Sequence, residues 1–182
     1  AITGPTTTNV IVDDSFADGN RTKTGALDAN WWSSSATSGN SVEITTGSLG
    51  LISGTSGRGL HATFAPQALP VSGKREATFT FLTPATVGNN LGAAFKIALM
   101  DFNNAGLAAD LLSSSTTPNP LYTNLPGYLV DFDINTGVTA DTSFRKHDVN
   151  TSGRFLGTTA EWTQMGTSPD DGYSFLPNTQ YS

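Results

Sequence analysis

Cysteine is absent from this 182-residue chain. Its absence excludes disulfides, zinc–thiolate sites, iron–sulfur clusters and thiol nucleophiles. Long apolar runs are also missing, because the longest candidates, Gly92–Met100 and Gly127–Ile134, fall well short of the ~20 residues of a membrane span. We therefore expect no membrane insertion. The chain begins at Ala1 rather than at Met, as a protein does after signal cleavage, and we expect it to be secreted or displayed at the cell surface.

Charge is scarce. Charged residues make up 13% of the chain, against about 25% in an average globular protein. The nine basic residues are scattered and the net charge is −6, so no basic stripe is available for phosphate contacts and nucleic acid is not an expected partner. Glutamate is especially rare, although paired Glu side chains are the common acid and base of glycosidases.

The residues that replace charge favour strands and turns. Ser and Thr together make up about a quarter of the chain, and Gly contributes 19 residues. Thr and aromatic residues favour pleated, half-buried surfaces, whereas Gly and Ser supply turns. This composition predicts an all-β protein. The number of short strands indicates a two-sheet antiparallel β-sandwich of the jelly-roll type, with at most one short helix.

Alternation of apolar and polar residues locates the strands. The clearest strand is Tyr128–Ile134, where the even-numbered residues share an apolar face. In Leu60–Phe64 the same alternation places His61 on the surface. A strong turn signal predicts a hairpin of Ser143–Val149 with Arg154–Thr158, and Ala105–Leu112 is the one predicted helix. Further strands are expected at Val10–Val12, Val42–Ile44, Leu49–Leu51, Glu76–Leu82 and Ala93–Met100.

The two ends of the chain differ from its middle. Residues Ala1–Asn9 are rich in Thr and are predicted to form an extended lead-in, so that residues 10–182 make one sandwich domain. The segment from Asp170 to Ser182 resembles a turn that leads into a strand beginning where the chain stops. Either the domain lacks a C-terminal strand, or a strand from another molecule closes the sheet.

Three segments carry a resemblance to a known family. They are the acidic–aromatic segment Val12–Thr22, the pair Trp31-Trp32 and the strand Thr46–Leu49. This order resembles the opening of concanavalin A-like lectin/glucanase domains of exported bacterial proteins. The resemblance implies a jelly-roll sandwich, carbohydrate binding and a structural calcium ion. The Glu-x-Asp-x-x-Glu motif of the family's glucanases is absent here, which disfavours that mechanism.

Acidic and amide side chains suggest where calcium would bind. Asp and Asn oxygens are ligands that Ca²⁺ prefers, and about seven are needed. Two positions on the predicted strand at Tyr128–Ile134 share one face and are candidates to complete a site. The alternatives are a solvated turn and an exposed sheet face. The candidate metal ligands are Asp13, Asp14, Asp18, Asn20, Asp131 and Asp133.

Aromatic and basic side chains are the candidates for glycan binding. A sugar ring stacks on an exposed aromatic ring, and adjacent Trp31 and Trp32 must point to opposite faces of a strand. Loop aromatics Trp162 and Tyr122 are further candidates, whereas partly buried rim residues are the alternative. Arg145 and His147 share a strand face and are candidates to bind a uronate; the alternative is a polar edge strand.

Three hypotheses follow from these residues. The first is an extracellular, non-catalytic, lectin-like module that binds a polysaccharide. The second is a structural subunit of an extracellular fibre or surface layer, forming a homo-oligomer through edge or terminal strands. The third is a polysaccharide lyase or hydrolase that uses Arg145, His147 and the aspartates.

Overall fold

The computed structural model describes residues 8–34, 41–52, 59–68, 74–87, 94–102, 109–110, 119–133, 142–147, 152–153, 156, 161–167 and 175–182. These residues form ten strands and one short 3₁₀ turn, so the prediction of an all-β protein is confirmed. The strands are β1 (Asn30–Ser33), β2 (Ser41–Thr45), β3 (Ser48–Ile52), β4 (Leu60–Thr63), β5 (Phe81–Leu82), β6 (Ala94–Met100), β7 (Gly127–Asp133), β8 (Thr142–His147), β9 (Trp162–Thr167) and β10 (Gln180–Tyr181). The 3₁₀ turn is Pro120–Tyr122. The two-sheet sandwich stays a prediction.

The chain divides into two compact units. The first unit contains Ala1–Ala65 and Gly106–Thr117, and the second contains Pro66–Ala105 and Pro118–Ser182. In the first unit β1 pairs with β4 and β2 pairs with β3, both antiparallel. The turn between β2 and β3 contains Gly47, whose φ of +83° is one that glycine adopts without strain.

A long irregular loop precedes β1 in the first unit. Residues 8–29 contain no strand, so the strand predicted at Val10–Val12 is wrong. Backbone hydrogen bonds hold this loop against its neighbours: the Asp13 N–H donates to the Leu27 carbonyl at 2.9 Å, and the Trp31 N–H donates to the Arg21 carbonyl at 2.8 Å. The described part of the lead-in, residues 8 and 9, is irregular and exposed.

The second unit is built on a four-stranded antiparallel sheet in the order β6-β7-β8-β9. The predicted strand at Tyr128–Ile134 is confirmed as β7, which lies between β6 and β8. The partner of β8 on its other side is Trp162–Thr167, so the predicted hairpin with Arg154–Thr158 is wrong. Of that predicted partner only Leu156, which lies in a turn, is described.

The last residues of the chain belong to this unit. Strand β10 pairs antiparallel with β5, and the Thr83 N–H donates to the Thr179 carbonyl at 3.0 Å. The rings of Phe81, Phe95, Phe175 and Tyr181 pack here, and the Phe81 and Phe95 centroids are 4.6 Å apart. The segment that was predicted to lead into a missing strand therefore itself ends in a short strand.

Two further predictions have a different outcome. His61 is buried rather than on the surface, with 6% of its area exposed, whereas Phe64 is 43% exposed. The burial follows from the pairing of β4 with β1, which places His61 opposite Trp32. The predicted helix Ala105–Leu112 lies mostly outside the described residues; Ala109 is in a bend and Asp110 is irregular.

Candidate functional site

The loop of residues 8–29 is organised around the carboxylate of Asp14. Its Oδ1 accepts a hydrogen bond from the Phe16 N–H at 3.1 Å. Its Oδ2 accepts from the Ala29 N–H at 3.2 Å and from the Trp31 Nε1–H at 2.9 Å. A carboxylate that accepts N–H donors from three positions fixes the path of the loop, because each donor would otherwise need a different partner.

Two other aspartates of this loop close turns. Asp18 accepts hydrogen bonds from the Thr24 hydroxyl and from the Asn20 N–H. The Thr24 bond, followed by the Asn20 bond, lowers the pKa of the exposed Asp18 carboxyl below its ordinary value. Asp28 accepts from the Gly25 N–H and from the Thr24 hydroxyl. The bonds from the Asn20 and Gly25 N–H groups are side-chain to backbone bonds of the kind that Asp forms in turns.

The side chains predicted to bind calcium have contacts typical of turns rather than of a cation site. The oxygens of Asp14 and Asp18 face N–H and O–H donors, whose positive ends repel a metal ion. Asp13 is exposed, and the Asn20 side-chain N–H points at Asp18. No group of three or more His, Asp or Glu side chains in the described part of the chain could hold a metal. Calcium binding stays a prediction that none of these contacts supports.

The second pair of predicted metal ligands lies in the other unit. Asp131 has two cations beside it: Lys96 Nζ lies 3.6 Å and Arg145 Nε lies 4.0 Å from its Oδ2. All three side chains point to one face of the four-stranded sheet. Two basic groups beside one carboxylate disfavour a bound cation. Asp133 lies at the end of β7 opposite Ala94, and its side chain is outside the described residues.

The two adjacent tryptophans are both half-buried. Trp31 is anchored through its Nε1–H to Asp14, and its ring meets Phe16 edge-on at a centroid distance of 5.6 Å. The Arg21 guanidinium lies over the Trp32 ring, 5.3 Å from its centroid. A guanidinium in this position makes a cation–π contact and covers one face of the ring. Sugar stacking on Trp31 or Trp32 stays a prediction, and neither of these contacts supports it.

A half-buried cluster around Asp110 was not predicted. The Arg21 Nη1 and Nη2 donate to the two Asp110 oxygens at 2.7 and 3.2 Å, and the Ser33 N–H donates to Oδ1 at 2.9 Å. Desolvation raises the pKa of Asp110, but the hydrogen bonds and the positive charge of Arg21 outweigh it and leave that pKa below its ordinary value. Burial lowers the pKa of the neighbouring His61 to about 4, and the Asp110 charge only partly opposes this.

Three of the predicted glycan-binding residues are buried in the second unit. Tyr122, His147 and Trp162 are 1%, 2% and 6% exposed. The Trp162 Nε1–H donates to the Leu156 carbonyl at 2.6 Å, and its ring centroid is 4.4 Å from that of His147. The prediction that Trp162 lies in a loop is wrong, because it is the first residue of β9. Burial raises the pKa of the Tyr122 phenol well above its ordinary value.

The basic segment at Arg145–His147 belongs to the sheet interior. Strand β8 has neighbours on both sides, so the alternative of a polar edge strand is wrong. Arg145 and His147 share one face, as predicted, but that face is the buried one. The His147 Nδ1–H donates to the Leu125 carbonyl, which can only accept, and Arg145 faces Asp131. No described contact places these two side chains at an open surface.

The opposite face of the same sheet carries an exposed apolar surface. We call Leu99, Tyr128, Phe144 and Met165 the sheet patch; they are 46%, 45%, 43% and 55% exposed. The Tyr128 and Phe144 rings are within 6° of parallel, with centroids 5.6 Å apart. Lys146 lies directly opposite Tyr128, and Thr163 lies opposite Lys146. Alternation in the sequence identified this face of β7 as the apolar one.

Comparisons of the chain with protein families, with characterised proteins and with solved structures find no match. In the described residues, no helix has the length and apolar character needed to cross a membrane.

Proposed function

We propose that the chain is an extracellular, non-catalytic carbohydrate-binding module with a β-sandwich fold, and that the sheet patch contacts the glycan. The observation that carries this proposal is the exposed, nearly parallel ring pair of Tyr128 and Phe144. The C–H face of a sugar ring packs on an aromatic ring, and aromatic side chains with one exposed surface are suited to this contact.

Polar groups beside the rings support a sugar ligand. Lys146 and Thr163 are exposed; Lys146 lies opposite Tyr128 on the neighbouring strand, and Thr163 lies opposite Lys146 on the next strand. An ammonium and a hydroxyl at these positions can hydrogen-bond sugar hydroxyls while the rings stack, which combines apolar area with orientation. Because binding of this kind needs no acid or base, the burial of His147 and the pairing of Arg145 with Asp131 are compatible with it.

Alanine at Tyr128 or Phe144 tests this proposal. Each change removes one stacking ring, and we expect glycan affinity to fall roughly tenfold, as when a contact worth about 1.4 kcal/mol is lost. Affinity electrophoresis in gels that contain neutral or uronate-rich polysaccharides measures the effect. Phe64→Ala is the matched control, because Phe64 is also 43% exposed but lies beyond β4 in the other unit.

Two outcomes would count against the proposal. One is wild-type protein that migrates unretarded in every polysaccharide gel. The other is an equal loss of retardation in Phe64→Ala and Phe144→Ala, which would place the ring contact elsewhere.

A second candidate function is that of an assembling structural subunit. It is favoured by the apolar character of the sheet patch, since Leu99 and Met165 are exposed beside the two rings, and contiguous apolar surface is typical of interaction sites. If this function holds, sedimentation velocity shows a concentration-dependent increase in mass for the wild type that is lost in Tyr128→Ala. A monomer at all concentrations, with retained glycan binding, excludes it.

A further inference from the structure

The first unit holds a buried histidine at the point where its irregular loop meets β1. His61 is 6% exposed and lies directly opposite Trp32 in the β1–β4 pair. Asp110 is the charged group that acts on its imidazole. The same Asp110 binds Arg21 of the loop through two hydrogen bonds and the Ser33 N–H of β1 through a third. The histidine therefore neighbours the ion pair that fastens the loop to the strand.

The attachment of the loop at this point depends on Arg21. Its guanidinium reaches both Asp110 and the Trp32 ring, and its carbonyl accepts from the Trp31 N–H at 2.8 Å. A bidentate Arg–carboxylate pair is among the stronger side-chain contacts in proteins. Displacement of the Asp110 carboxylate from this position would leave both Arg21 of the loop and the Ser33 N–H without the acceptor that they share.

We propose that His61 is an acid-sensitive latch, whose neutral imidazole allows the Arg21–Asp110 pair to hold the loop on β1 and whose protonation releases that pair. A proton on His61 places a second cation beside Asp110, where it repels Arg21 and competes for the carboxylate. It also charges a ring that is shut off from water, a cost that is relieved when the loop opens and water enters.

The direction and size of the effect follow from proton linkage. Burial lowers the pKa of His61 to about 4 in the closed structure, from the 6.5 of a solvated imidazole. In the open form, in which the loop has left β1 and His61 is solvated, the imidazole binds the proton more tightly. Acid therefore shifts the equilibrium between the closed and open forms toward the open form. Below pH 6.5 the closed form is progressively destabilised, until both forms are protonated below pH 4. Between pH 7 and pH 5 the opening constant rises about 20-fold.

Hydrogen exchange at single amides tests the latch in the intact chain. We expect the Ser33 and Trp31 amides to lose about 20-fold in protection from pH 7 to pH 5, after correction for intrinsic exchange rates. The Leu129 amide, in the central strand of the second unit, should keep its protection. In His61→Gln, which cannot titrate, the pH dependence at Ser33 should disappear, whereas His147→Gln, the other buried histidine, should retain it.

Several results would overturn the latch. One is unchanged protection of the Ser33 amide at pH 5. Another is an equal loss of protection at the Leu129 amide, which would mean that the whole chain opens. A third is a pH dependence at Ser33 that persists in His61→Gln. If His61→Gln does not fold, the wild-type imidazole is titrated by NMR. A midpoint near 6.5 rather than near 4 would then disprove the proposal.

Discussion

Replacement of Gly127 by alanine is expected to lower the free energy of unfolding by about 2–3 kcal/mol, in the range of overpacking in a well-filled site. A Cβ atom at this position would lie 2.6 Å from the Leu99 carbonyl oxygen and 2.9 Å from Met100 Cγ. The carbonyl belongs to β6, which pairs with β7 at this point. Because a backbone oxygen cannot move aside alone, the two strands must separate locally, and the penalty is steric.

Gly166→Ala is the matched control for this change. Gly166 lies in β9 of the same sheet, and a Cβ there would meet no atom within 4 Å. Alanine is expected to be neutral, or to add up to about 1 kcal/mol by reducing the freedom of the unfolded chain. Urea unfolding monitored by tryptophan fluorescence, to which buried Trp162 contributes, measures both variants. Similar midpoints for the two would contradict the close packing of β6 against Gly127.

The strand that contains Gly127 shows how far alternation in the sequence reaches. The pattern of Tyr128–Ile134 correctly predicted a strand and correctly divided its residues between two faces. It did not predict which face is buried. Leu129, on the more polar face, is 1% exposed, whereas Tyr128, on the apolar face, is 45% exposed. An apolar face predicts burial only where another element covers it. Here the aromatic cluster of β5 and β10 packs against Phe95 and Phe132 on this face, whereas Tyr128 remains exposed.

Long-range pairing limited the prediction of the sheet in another way. The turn signal after Val149 favoured the next apolar segment as the partner of β8, but the partner begins only at Trp162. Turn residues identify where a chain reverses, not how many residues it uses before it pairs again. For the same reason Trp162 was predicted to lie in a loop, although it lies in a strand and is buried beside His147.

The ion pair around Asp110 could not be predicted because its members are distant in sequence. Arg21 lies in a turn-rich loop, and Asp110 lies in a segment where helical periodicity dominates the pattern. No local motif links Arg21 to Asp110. His61 is buried because β4 pairs with β1 and places it opposite Trp32, and this pairing also joins segments that are distant in sequence. Single positions that hold a loop by charge have no periodic signature in a sequence.

Asp14→Ala is expected to lower the free energy of unfolding by about 2–4 kcal/mol, because it removes a charged acceptor shared by three N–H donors. The Phe16 N–H, the Ala29 N–H and the Trp31 Nε1–H all lose this partner. Ala29 is 3% exposed, so water does not readily replace the carboxylate at its amide. Asp13→Ala, at the exposed neighbouring position, should change stability by less than about 0.5 kcal/mol.

A double-mutant cycle separates the tryptophan bond from the two backbone bonds. Trp31→Phe keeps an aromatic ring against Phe16 but deletes the Nε1–H, and is expected to cost about 1–2 kcal/mol. The destabilisation of Asp14→Ala/Trp31→Phe should be smaller than the sum of the destabilisations of the two single variants, because the same hydrogen bond is lost in both of them. Additive losses would mean that Asp14 acts through something other than this contact. If that other contact is calcium, adding the ion should stabilise the wild type and Trp31→Phe but not Asp14→Ala, whereas a hydrogen-bonded anchor predicts no such difference.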